Sequence, residues 1–302
     1  MPNCGKKEME ANLAFLQWND LYDVEKPFQI FINIPGYAED KRSTNLSWEV
    51  KSKVIRDIRG LEVPPTLNDY GFKFLHRPSR LSDFSSKEKI ASVYLPEVEE
   101  IIKAELRDVE KVCIFDWRMR QTEPVKEDNL MDLNNPMNWL LPAEQAHVDQ
   151  SPLAVLRRVR LQFPDDAERL LKGRVRIINV WRPIERIVTD WPLALCDGRT
   201  IRDSDLIECD HIRRHYIGST MYLLDNPEHR WYYMSNQSPE EIMIFKNFDS
   251  SKCVGACCAP HAAFKYDPRG MNKGRRSSIE VRALVFSPLL EEVGSDARVA
   301  ET

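Results

Sequence analysis

The sequence predicts a mainly β protein with flanking helices, arranged as a jelly roll. Many short runs of β-branched and aromatic residues follow one another at short spacing, and Pro, Asn and Gly residues separate them. Such a series of short antiparallel strands is typical of barrels and sandwiches. The chain has 302 residues, 42% of them hydrophobic and 30% charged, which is enough for one sizeable core. We therefore expect one barrel domain with helices packed around it.

That domain is expected to span residues 27–288, with an α/β elaboration at its N-terminal end. Residues 1–26 are predicted to be an N-terminal extension, and its first dozen residues are polar enough to fray. Residues 289–302 are rich in Glu, Gly and Ala, which indicates a loosely ordered tail.

The N-terminal third combines strands with one amphipathic helix. Apolar residues recur at three- and four-residue steps from residue 85 to 107, which predicts a helix with one buried face. Ser85-Ser86-Lys87-Glu88 is a candidate capping box, and Pro96 is expected to bend the helix. Residues 37–53 are polar and residues 121–142 are rich in Asn, Pro and Asp, so both are predicted to be loops. Strands are predicted at 27–34, 70–76 and 111–118.

The remainder of the chain holds one more helical region and the barrel strands. Residues 153–171 show helical spacing, Pro164 interrupts it, and Gly173 ends it. The β-branched and aromatic runs that follow are strand candidates at 174–183, 221–224, 230–234, 241–246 and 278–286.

Charge and cysteine content exclude several classes of protein. A net charge of −4 gives no broad basic surface, so nucleic acid is not an expected partner. Seven cysteines, an odd number along a long chain, indicate reduced thiols rather than a disulfide framework. The N-terminal residues lack the apolar run of a secretory signal, and no run approaches the roughly 18 apolar residues of a membrane span. We therefore expect a cytoplasmic protein with no membrane partner.

The segment Gln145-Ala146-His147-Val148-Asp149 is the first candidate for chemistry. Side chains alternate between the two faces of an extended chain, so His147 and Asp149 point the same way and can bind one metal ion together. With a second histidine from elsewhere, they form the facial triad of non-haem Fe(II) oxygenases. A chance pair at this spacing is the alternative, since the chain has 6 His and 47 acidic residues.

Four downstream histidines compete for the third metal position. His211 and His215 can share a helix face, but the Asp and Arg residues around them favour a solvated surface. His229 lies in a turn that enters a strand and is less favoured. His261 is preferred, because small residues flank it and leave room for a metal and its ligands.

An arginine pattern near the C-terminus favours 2-oxoglutarate as cosubstrate. The distal carboxylate of 2-oxoglutarate needs a buried donor that is always charged, and arginine meets that need. Arg276 and Ser278 lie two apart on one strand face and are predicted to hold that carboxylate. Glu280 and Arg282 continue the same face, where Arg282 either binds the cosubstrate or forms a structural ion pair with Glu280.

A series of short motifs occurs in a fixed order along the chain. They are His147-x-Asp149, Asn179-Val180-Trp181-Arg182-Pro183, Cys196-Asp197, His229-Arg230-Trp231-Tyr232-Tyr233, Lys246-x-x-Asp249-Ser250, Pro260-His261-x-x-Phe264 and Arg276-x-Ser278-x-Glu280-x-Arg282. In this order they resemble the fungal gibberellin-desaturase family of hydroxylase/desaturases, and the resemblance covers roughly residues 27–288. It implies a double-stranded β-helix that uses Fe(II), 2-oxoglutarate and O2, with His147, Asp149 and His261 as iron ligands and Arg276 with Ser278 as the cosubstrate clamp.

The expected reaction is hydroxylation or desaturation of a small natural-product substrate at an unactivated C–H bond. Each aromatic residue of the predicted substrate wall has a core position as its alternative. The roles of His229, Lys246, Cys253, Cys257 and Cys258 stay open. The residues predicted to contact substrate are Asn179, Trp181, Arg182, Tyr232, Tyr233 and Phe264, with the loop around Trp139.

Two other functions compete with the oxygenase. One is a non-catalytic jelly-roll subunit that assists an active relative, and the complete ligand set argues against it. The other is a Zn-dependent hydrolase that uses His147, Asp149 and His261 with a metal-bound water. That function leaves Arg276 without a role. The sequence leaves both a homodimer and a heterodimer open.

Overall fold

Two β-sheets dominate the computed structural model, which describes residues 8–123, 135–213, 216–266 and 275–288. One sheet has nine strands and the other has five, and four short α-helical segments accompany them. The predicted mainly β class is confirmed.

Fourteen strands build the two sheets in the part of the chain that is described. The nine-stranded sheet has the order β1-β3-β11-β8-β13-β6-β10-β9-β2, and the five-stranded sheet has the order β4-β12-β7-β14-β5. The strands are β1 Glu8–Leu16, β2 Phe28–Ile30, β3 Trp48–Asp57, β4 Phe72–His76, β5 Lys111–Gln121, β6 His147–Val148, β7 Arg174–Pro183, β8 Leu193–Cys196, β9 Leu206–Arg213, β10 Tyr216–Leu223, β11 Trp231–Tyr233, β12 Glu241–Asp249, β13 His261–Ala263 and β14 Ser277–Ser287.

The two sheets pack face to face through one apolar cluster. It joins Trp181 and Phe245 of the five-stranded sheet to Leu195 and Tyr232 of the nine-stranded sheet. We call these facing surfaces the inner faces. His261 pairs with both His147 and Leu195, and directly paired residues share a face, so the two histidines also lie on the inner face. The space between the sheets is therefore where these side chains meet.

The other face of the nine-stranded sheet carries a separate apolar cluster. Leu13, Phe15, Trp231, Tyr233 and Phe264 belong to it. These residues alternate along their strands with inner-face residues, as the two-residue period of a strand requires. Both faces of this sheet are thus buried over part of its area.

A helical layer covers the outer face of the five-stranded sheet. It runs through α1 Lys87–Lys89, a π-helical turn Ile90–Tyr94 and α2 Leu95–Glu105. Ser86 caps it by accepting a hydrogen bond from the Lys89 backbone N–H, one position later than the predicted capping box. Pro96 has no N–H to continue the α-helical pattern, and the predicted irregularity takes the form of the π turn just before it.

A second pair of helices, α3 Pro152–Gln162 and α4 Ala167–Leu170, matches the predicted helical region with its break near Pro164. Both helices pack on Val175, Ile177 and Phe286 of the five-stranded sheet. Ser151, immediately after the candidate metal segment, caps α3 by accepting from the Ala154 N–H. Only Asp149 and Gln150 separate the end of β6 from this cap. The start of α3 therefore constrains the position of the Asp149 backbone.

Three sequence predictions need correction. Residues 8–16 do not fray but form β1, because Ala11, Leu13 and Phe15 occupy alternate positions and bury one face of the strand. Strand β3 begins at Trp48, inside a segment predicted to be a loop. His211 lies on strand β9 and not on a helix. His215, the centre of the 121–142 loop and the 289–302 tail lie outside the described residues.

Candidate metal centre

His147, Asp149 and His261 converge on one point between the sheets. One ligand atom from each residue lies within 4.8 Å of the others. No other group of three or more His, Cys, Asp or Glu side chains converges in this way within the described parts of the chain. The convergence follows from the pairing of neighbouring strands β6 and β13, which sets the two imidazole ring centroids 4.4 Å apart.

Backbone carbonyls fix the orientation of both imidazoles. The Nδ1 of His147 lies 2.7 Å from the Gln145 carbonyl oxygen, and the Nδ1 of His261 lies 3.3 Å from the Ala259 carbonyl oxygen. A carbonyl can only accept, so each Nδ1 carries the proton and each Nε2 is left with a lone pair. Burial, and then the nearby His147, lower the pKa of His261 to about 3, which keeps that ring neutral. A neutral imidazole whose Nδ1–H is held by a carbonyl can bind a metal ion through Nε2.

Asp149 is held by three neighbours. Asn179 Nδ2 donates to its Oδ2 at 2.6 Å, and Arg282 donates to both carboxylate oxygens at 3.0 and 3.1 Å. The backbone N–H of Asp149 donates to Asn247 Oδ1 at 2.8 Å. Burial acts to raise the pKa of Asp149, but Arg282 and His147 lower it well below its usual range. The carboxylate is therefore ionised and fixed in direction.

Arg282 pairs with the Asp149 carboxylate and with two further carboxylates. Besides Asp149, it contacts Asp116 at 3.0 Å and Glu280 at 2.5 Å. Burial acts to lower the pKa of Arg282, but these three carboxylates raise it. The prediction of Arg282 as a cosubstrate residue is replaced by its alternative, an ion pair with Glu280, which the structure extends to Asp116 and Asp149.

The Arg276 guanidinium, unlike that of Arg282, forms no ion pair among the described residues. The side chain is 3% exposed, and its guanidinium donates to the Trp191 carbonyl oxygen at 2.8 Å and to Ser278 Oγ at 3.2 Å. The guanidinium carbon lies 5.0 Å from the Trp181 ring centroid. Among the described residues no carboxylate lies within ion-pair distance of it, and burial lowers the pKa of Arg276 to about 9. A buried cation of this kind is stabilised when an anion binds beside it.

Two adjoining cavities, of about 230 and 220 Å³, open beside Asp149. They share the five lining residues Arg118, Asp149, His211, Arg213 and Arg282. Their walls are thus rich in cationic side chains and not in the aromatic residues that the sequence indicated. A ligand in this space meets hydrogen-bond donors on several sides.

His211 and Tyr222 line the cavity beside His147. Sequence reasoning considered His211 only as a less favoured metal ligand, and it did not identify Tyr222. The Nε2 of His211 lies 3.3 Å from the Tyr222 hydroxyl, and burial lowers the pKa of His211 to about 4. The expectation that His211 lies on a solvated surface is wrong. The alternation of Ile207, Cys209 and His211 with charged residues was a usable strand signal. Arg118 alternates in the same way with Trp117 and Met119 on β5.

The residues predicted to contact substrate separate into four groups. Asn179 binds Asp149, as described above. Trp181 and Tyr232 lie on the inner faces but belong to the apolar cluster between the sheets, so their core alternative describes them better. Near the predicted loop, Trp139 packs against the cluster under the helical layer, and its neighbour Leu140 lines a cavity.

Arg182, Tyr233 and Phe264 point away from the metal centre, which corrects the prediction that they line the pocket. Arg182 lies on the outer face of the five-stranded sheet, where it contacts Tyr94 Oη at 3.2 Å and Glu97 Oε1 at 3.4 Å. Tyr233 and Phe264 pack together in the apolar cluster on the opposite face of the nine-stranded sheet, with ring centroids 5.6 Å apart.

The residues whose roles the sequence left open have structural partners. His229 is buried with its Nε2 3.0 Å from Asp205 Oδ2, apart from the converging group. Lys246 Nζ donates to Asp249 Oδ2 at 2.7 Å and to the Ala256 carbonyl oxygen at 2.8 Å. Cys253, Cys257 and Cys258 are free thiols that join no converging metal group in the described chain.

Comparison with known proteins identifies the family. Residues 13–286 match a family described as an oxidoreductase/YMDC permease-like domain. The hydroxylase/desaturase efuI of Hormonema carpetanum is 33% identical over 260 residues, which cover 81% of this chain and 86% of that protein. The hydroxylase/desaturase CTB9 of Cercospora beticola is 30% identical over 79% of this chain and 77% of its own length.

A solved relative matches the three-dimensional fold as well. The structure of the iron and alpha-ketoglutarate-dependent endoperoxidase NvfI superposes with a TM-score of 0.78 at 27% identity, covering 93% of this chain and 98% of that one. The corresponding sequence, from Aspergillus novofumigatus, is described as an Fe(II)/2-oxoglutarate-dependent dioxygenase. This match confirms the jelly-roll architecture.

Despite the permease-like label, the described residues contain no helix with the length and apolar character needed to cross a membrane. The converging His147, Asp149 and His261 side chains fit the iron chemistry named for these relatives. The chain therefore belongs to the family of Fe(II)/2-oxoglutarate-dependent hydroxylase/desaturases and dioxygenases that these fungal proteins represent.

Proposed function

We propose that His147, Asp149 and His261 hold Fe(II), and that Arg276 with Ser278 binds the distal carboxylate of 2-oxoglutarate. The enzyme then hydroxylates or desaturates a small natural product at an unactivated C–H bond. The observation that carries the proposal is the convergence of two imidazoles and one carboxylate, within 4.8 Å of one another, on the inner side of the barrel. A donor set of this composition leaves one side of a six-coordinate ion for other ligands.

The surrounding residues support this assignment by fixing the donors before a metal binds. The Gln145 and Ala259 carbonyls orient the two imidazoles, and Arg282 with Asn179 prevents the Asp149 carboxylate from rotating. When bound, Fe(II), 2-oxoglutarate and O2 together supply the oxidant that removes hydrogen from the C–H bond. The chain contributes orientation of the ligands and exclusion of water from the space between the sheets.

The cosubstrate assignment depends on the charge of Arg276. Its guanidinium is buried, lies against the Trp181 ring and forms no ion pair within the described chain. The Nε1 of Trp181 is also buried and has no hydrogen-bond partner among the described residues. A carboxylate placed there would receive charge-assisted hydrogen bonds from Arg276 and would neutralise its charge.

The substrate is proposed to occupy the two cavities beside Asp149. Arg118, Arg120 and Arg213 line this space together with His211 and Tyr222. These donors favour a natural product that carries carbonyl, hydroxyl or carboxylate oxygens over a plain hydrocarbon. The placement of the substrate over distances of about an ångström decides between hydroxylation and desaturation.

Finer assignments rest on separate observations. The ordered motifs from His147 to Arg282 support membership of the gibberellin-desaturase branch of the family.

Six free cysteines among the described residues support a reducing, cytoplasmic location. The proposal keeps the single oxygenase domain predicted over residues 27–288, and the pairing of β1 with β3 adds residues 8–16 to it. Light scattering after size-exclusion chromatography distinguishes a monomer from a homodimer, and co-purification of a relative identifies a heterodimer.

Anaerobic reconstitution tests the function directly. Fe(II) is added to the metal-free protein, followed by 2-oxoglutarate, and the visible charge-transfer band of the chelate is recorded. Wild type is expected to show the band, His261→Ala to lose it, and His229→Ala to retain it, because His229 is paired with Asp205 away from the centre. A wild-type protein without the band would overturn the proposal. Turnover that requires no O2 and releases no succinate would favour the Zn-dependent hydrolase instead.

A further inference from the structure

A cavity of about 820 Å³ lies apart from the metal centre. It is bounded by the end of α2, by the chain before β7 and by the end of β14, and it shares no lining residue with the two cavities beside Asp149. Arg176 lines it from β7. Because Arg176 pairs with Val285, whose side chain lies in the cluster under the helical layer, both residues belong to the outer face of the five-stranded sheet.

Arg176 is a buried cation that forms no ion pair in the described chain. Asp249 and Asp108 lie near enough to act electrostatically to raise its pKa, but neither is within ion-pair distance. Its side chain is 2% exposed, one Nη atom donates to Ser287 Oγ, and its Nε has no hydrogen-bond partner. No described carboxylate forms an ion pair with it. The nearby Asp249 is already occupied, since Arg174 contacts it at 2.6 Å and Lys246 at 2.7 Å. Burial, and then Arg174, lower the pKa of Arg176 to about 10.

Arg182 shows how the same strand face satisfies a buried guanidinium when no ligand is needed. It is 1% exposed, six positions along β7 from Arg176, and it donates to Tyr94, to the Pro239 carbonyl oxygen and to Glu97. A buried charge without such partners costs several kcal/mol in general. The difference between the two arginines therefore points to a partner for Arg176 that is not part of the described chain.

The rest of the cavity wall indicates what that partner is. Five cationic side chains line it (Lys73, Arg107, Lys172, Arg174 and Arg176) against two acidic ones (Glu105 and Asp108), and Lys73 is paired with Glu105 at 2.7 Å. The hydroxyls of Ser250, Ser251 and Ser287 supply further donors. Arginine with hydroxyl groups is the donor set that binds phosphate and carboxylate oxygens. The volume lies within the range of small-molecule sites, which is about 300–1,000 Å³.

We propose that this cavity is a second ligand site, which binds a small molecule bearing a phosphate or carboxylate group through Arg176. The site is independent of the proposed iron and 2-oxoglutarate chemistry, because none of its lining residues belongs to that machinery.

Inorganic phosphate is the probe for this site. Titration calorimetry and thermal unfolding of the full chain are carried out with sodium phosphate, against sodium chloride at the same ionic strength to remove screening effects. Wild type is expected to bind one phosphate and to unfold at a higher temperature in phosphate than in chloride. Arg176→Met is expected to lose about tenfold or more in phosphate affinity, as for a lost hydrogen bond to a charged group.

A matched pair of variants separates this site from the metal centre. Arg176→Met is expected to lose phosphate binding and keep the charge-transfer band with Fe(II) and 2-oxoglutarate. Arg276→Met is expected to do the reverse. If Arg176→Met fails to fold, Arg176→Lys keeps the charge but removes the planar donor set, and it is expected to bind phosphate more weakly than wild type.

Two results would overturn the proposal. One is equal unfolding temperatures in phosphate and chloride together with no heat of binding in wild type. The other is equal phosphate affinity in wild type and Arg176→Met.

Discussion

Arg276 and Arg282 lie six positions apart, Arg276 immediately before β14 and Arg282 within it, and their surroundings differ. Arg282 contacts three carboxylates, those of Asp116, Asp149 and Glu280. The Arg276 guanidinium contacts a carbonyl oxygen, a hydroxyl and an aromatic ring. It forms no ion pair with a described carboxylate, although the Arg276 backbone N–H donates to Asp190 Oδ2 at 3.1 Å. The Arg282 guanidinium is thus a counter-ion within the fold, whereas the Arg276 guanidinium is buried without an ion pair in the described chain. This difference is the reason for proposing a bound carboxylate beside Arg276 and none beside Arg282.

The largest expected effect comes from Arg282→Met. Removing this cation takes the shared partner from Glu280, which is buried, and from Asp149 and Asp116, which are partly buried. We expect the free energy of unfolding to fall by about 3–5 kcal/mol. Denaturant titration of the metal-free protein measures the change. A loss below about 1 kcal/mol would mean that these carboxylates find other partners, and the contrast with Arg276 would no longer hold.

Arg276→Met is expected to act on ligand binding instead. Affinity for 2-oxoglutarate should fall by about 100-fold, since an arginine gives a carboxylate two charge-assisted hydrogen bonds. Without cosubstrate, the free energy of unfolding should stay within about 1 kcal/mol of wild type, because no ion pair is broken. Titration of the charge-transfer band and denaturant unfolding measure the two quantities.

Arg275→Met is the matched control for that experiment. Arg275 is exposed and pairs with Glu123 at 2.7 Å. We expect the Arg275→Met variant to bind 2-oxoglutarate with the affinity of wild type. Equal losses in the two variants would show that the cosubstrate responds to net positive charge and not to the buried guanidinium.

Asn179→Ala is expected to lower iron affinity by about 10- to 100-fold, the range found for residues that orient metal ligands. The substitution removes the 2.6 Å hydrogen bond to Asp149 but keeps the contacts from Arg282. Competition with a chelator of known affinity measures the loss. Unchanged iron affinity would mean that Arg282 alone fixes the carboxylate.

The smallest expected effect is that of Ser278→Ala. Its hydroxyl accepts from Arg276 Nε at 3.2 Å, so its loss should weaken 2-oxoglutarate binding by roughly tenfold or less. Ser277→Ala is the control, because its buried hydroxyl has no partner among the described residues. Similar losses in both variants would show that the packing of this strand matters more than the hydroxyl.

Much of the fold was predictable because strand signals are local. The β-branched runs at residues 174–183 and 278–286 correspond to β7 and β14 nearly to the residue. The missed strands β1 and β9 carry charged residues on their exposed face, which made them resemble loops. The short strand β6 was predicted from the spacing of His147 and Asp149 as metal ligands, and not from a run of β-branched or aromatic residues.

The substrate wall was the least predictable part of the site. Alternation identifies the inward face of a strand only when the other face is polar, and β7 is buried on both faces along nearly its whole length. Arg182 therefore could not be separated from Asn179 and Trp181 by sequence. The same ambiguity affected Tyr233 and Phe264, which lie on a face that a second apolar cluster covers.

The sequence by itself determined which neighbouring side chains act together. His147 with Asp149, and Arg276 with Ser278, share a face because the two-residue period is a property of the extended backbone. Only the tertiary structure decided which distant groups complete them. Arg282 neutralises Asp149 across 133 positions, and β13 carries His261 to His147, because sheet pairing and packing, which no local spacing encodes, bring those strands together.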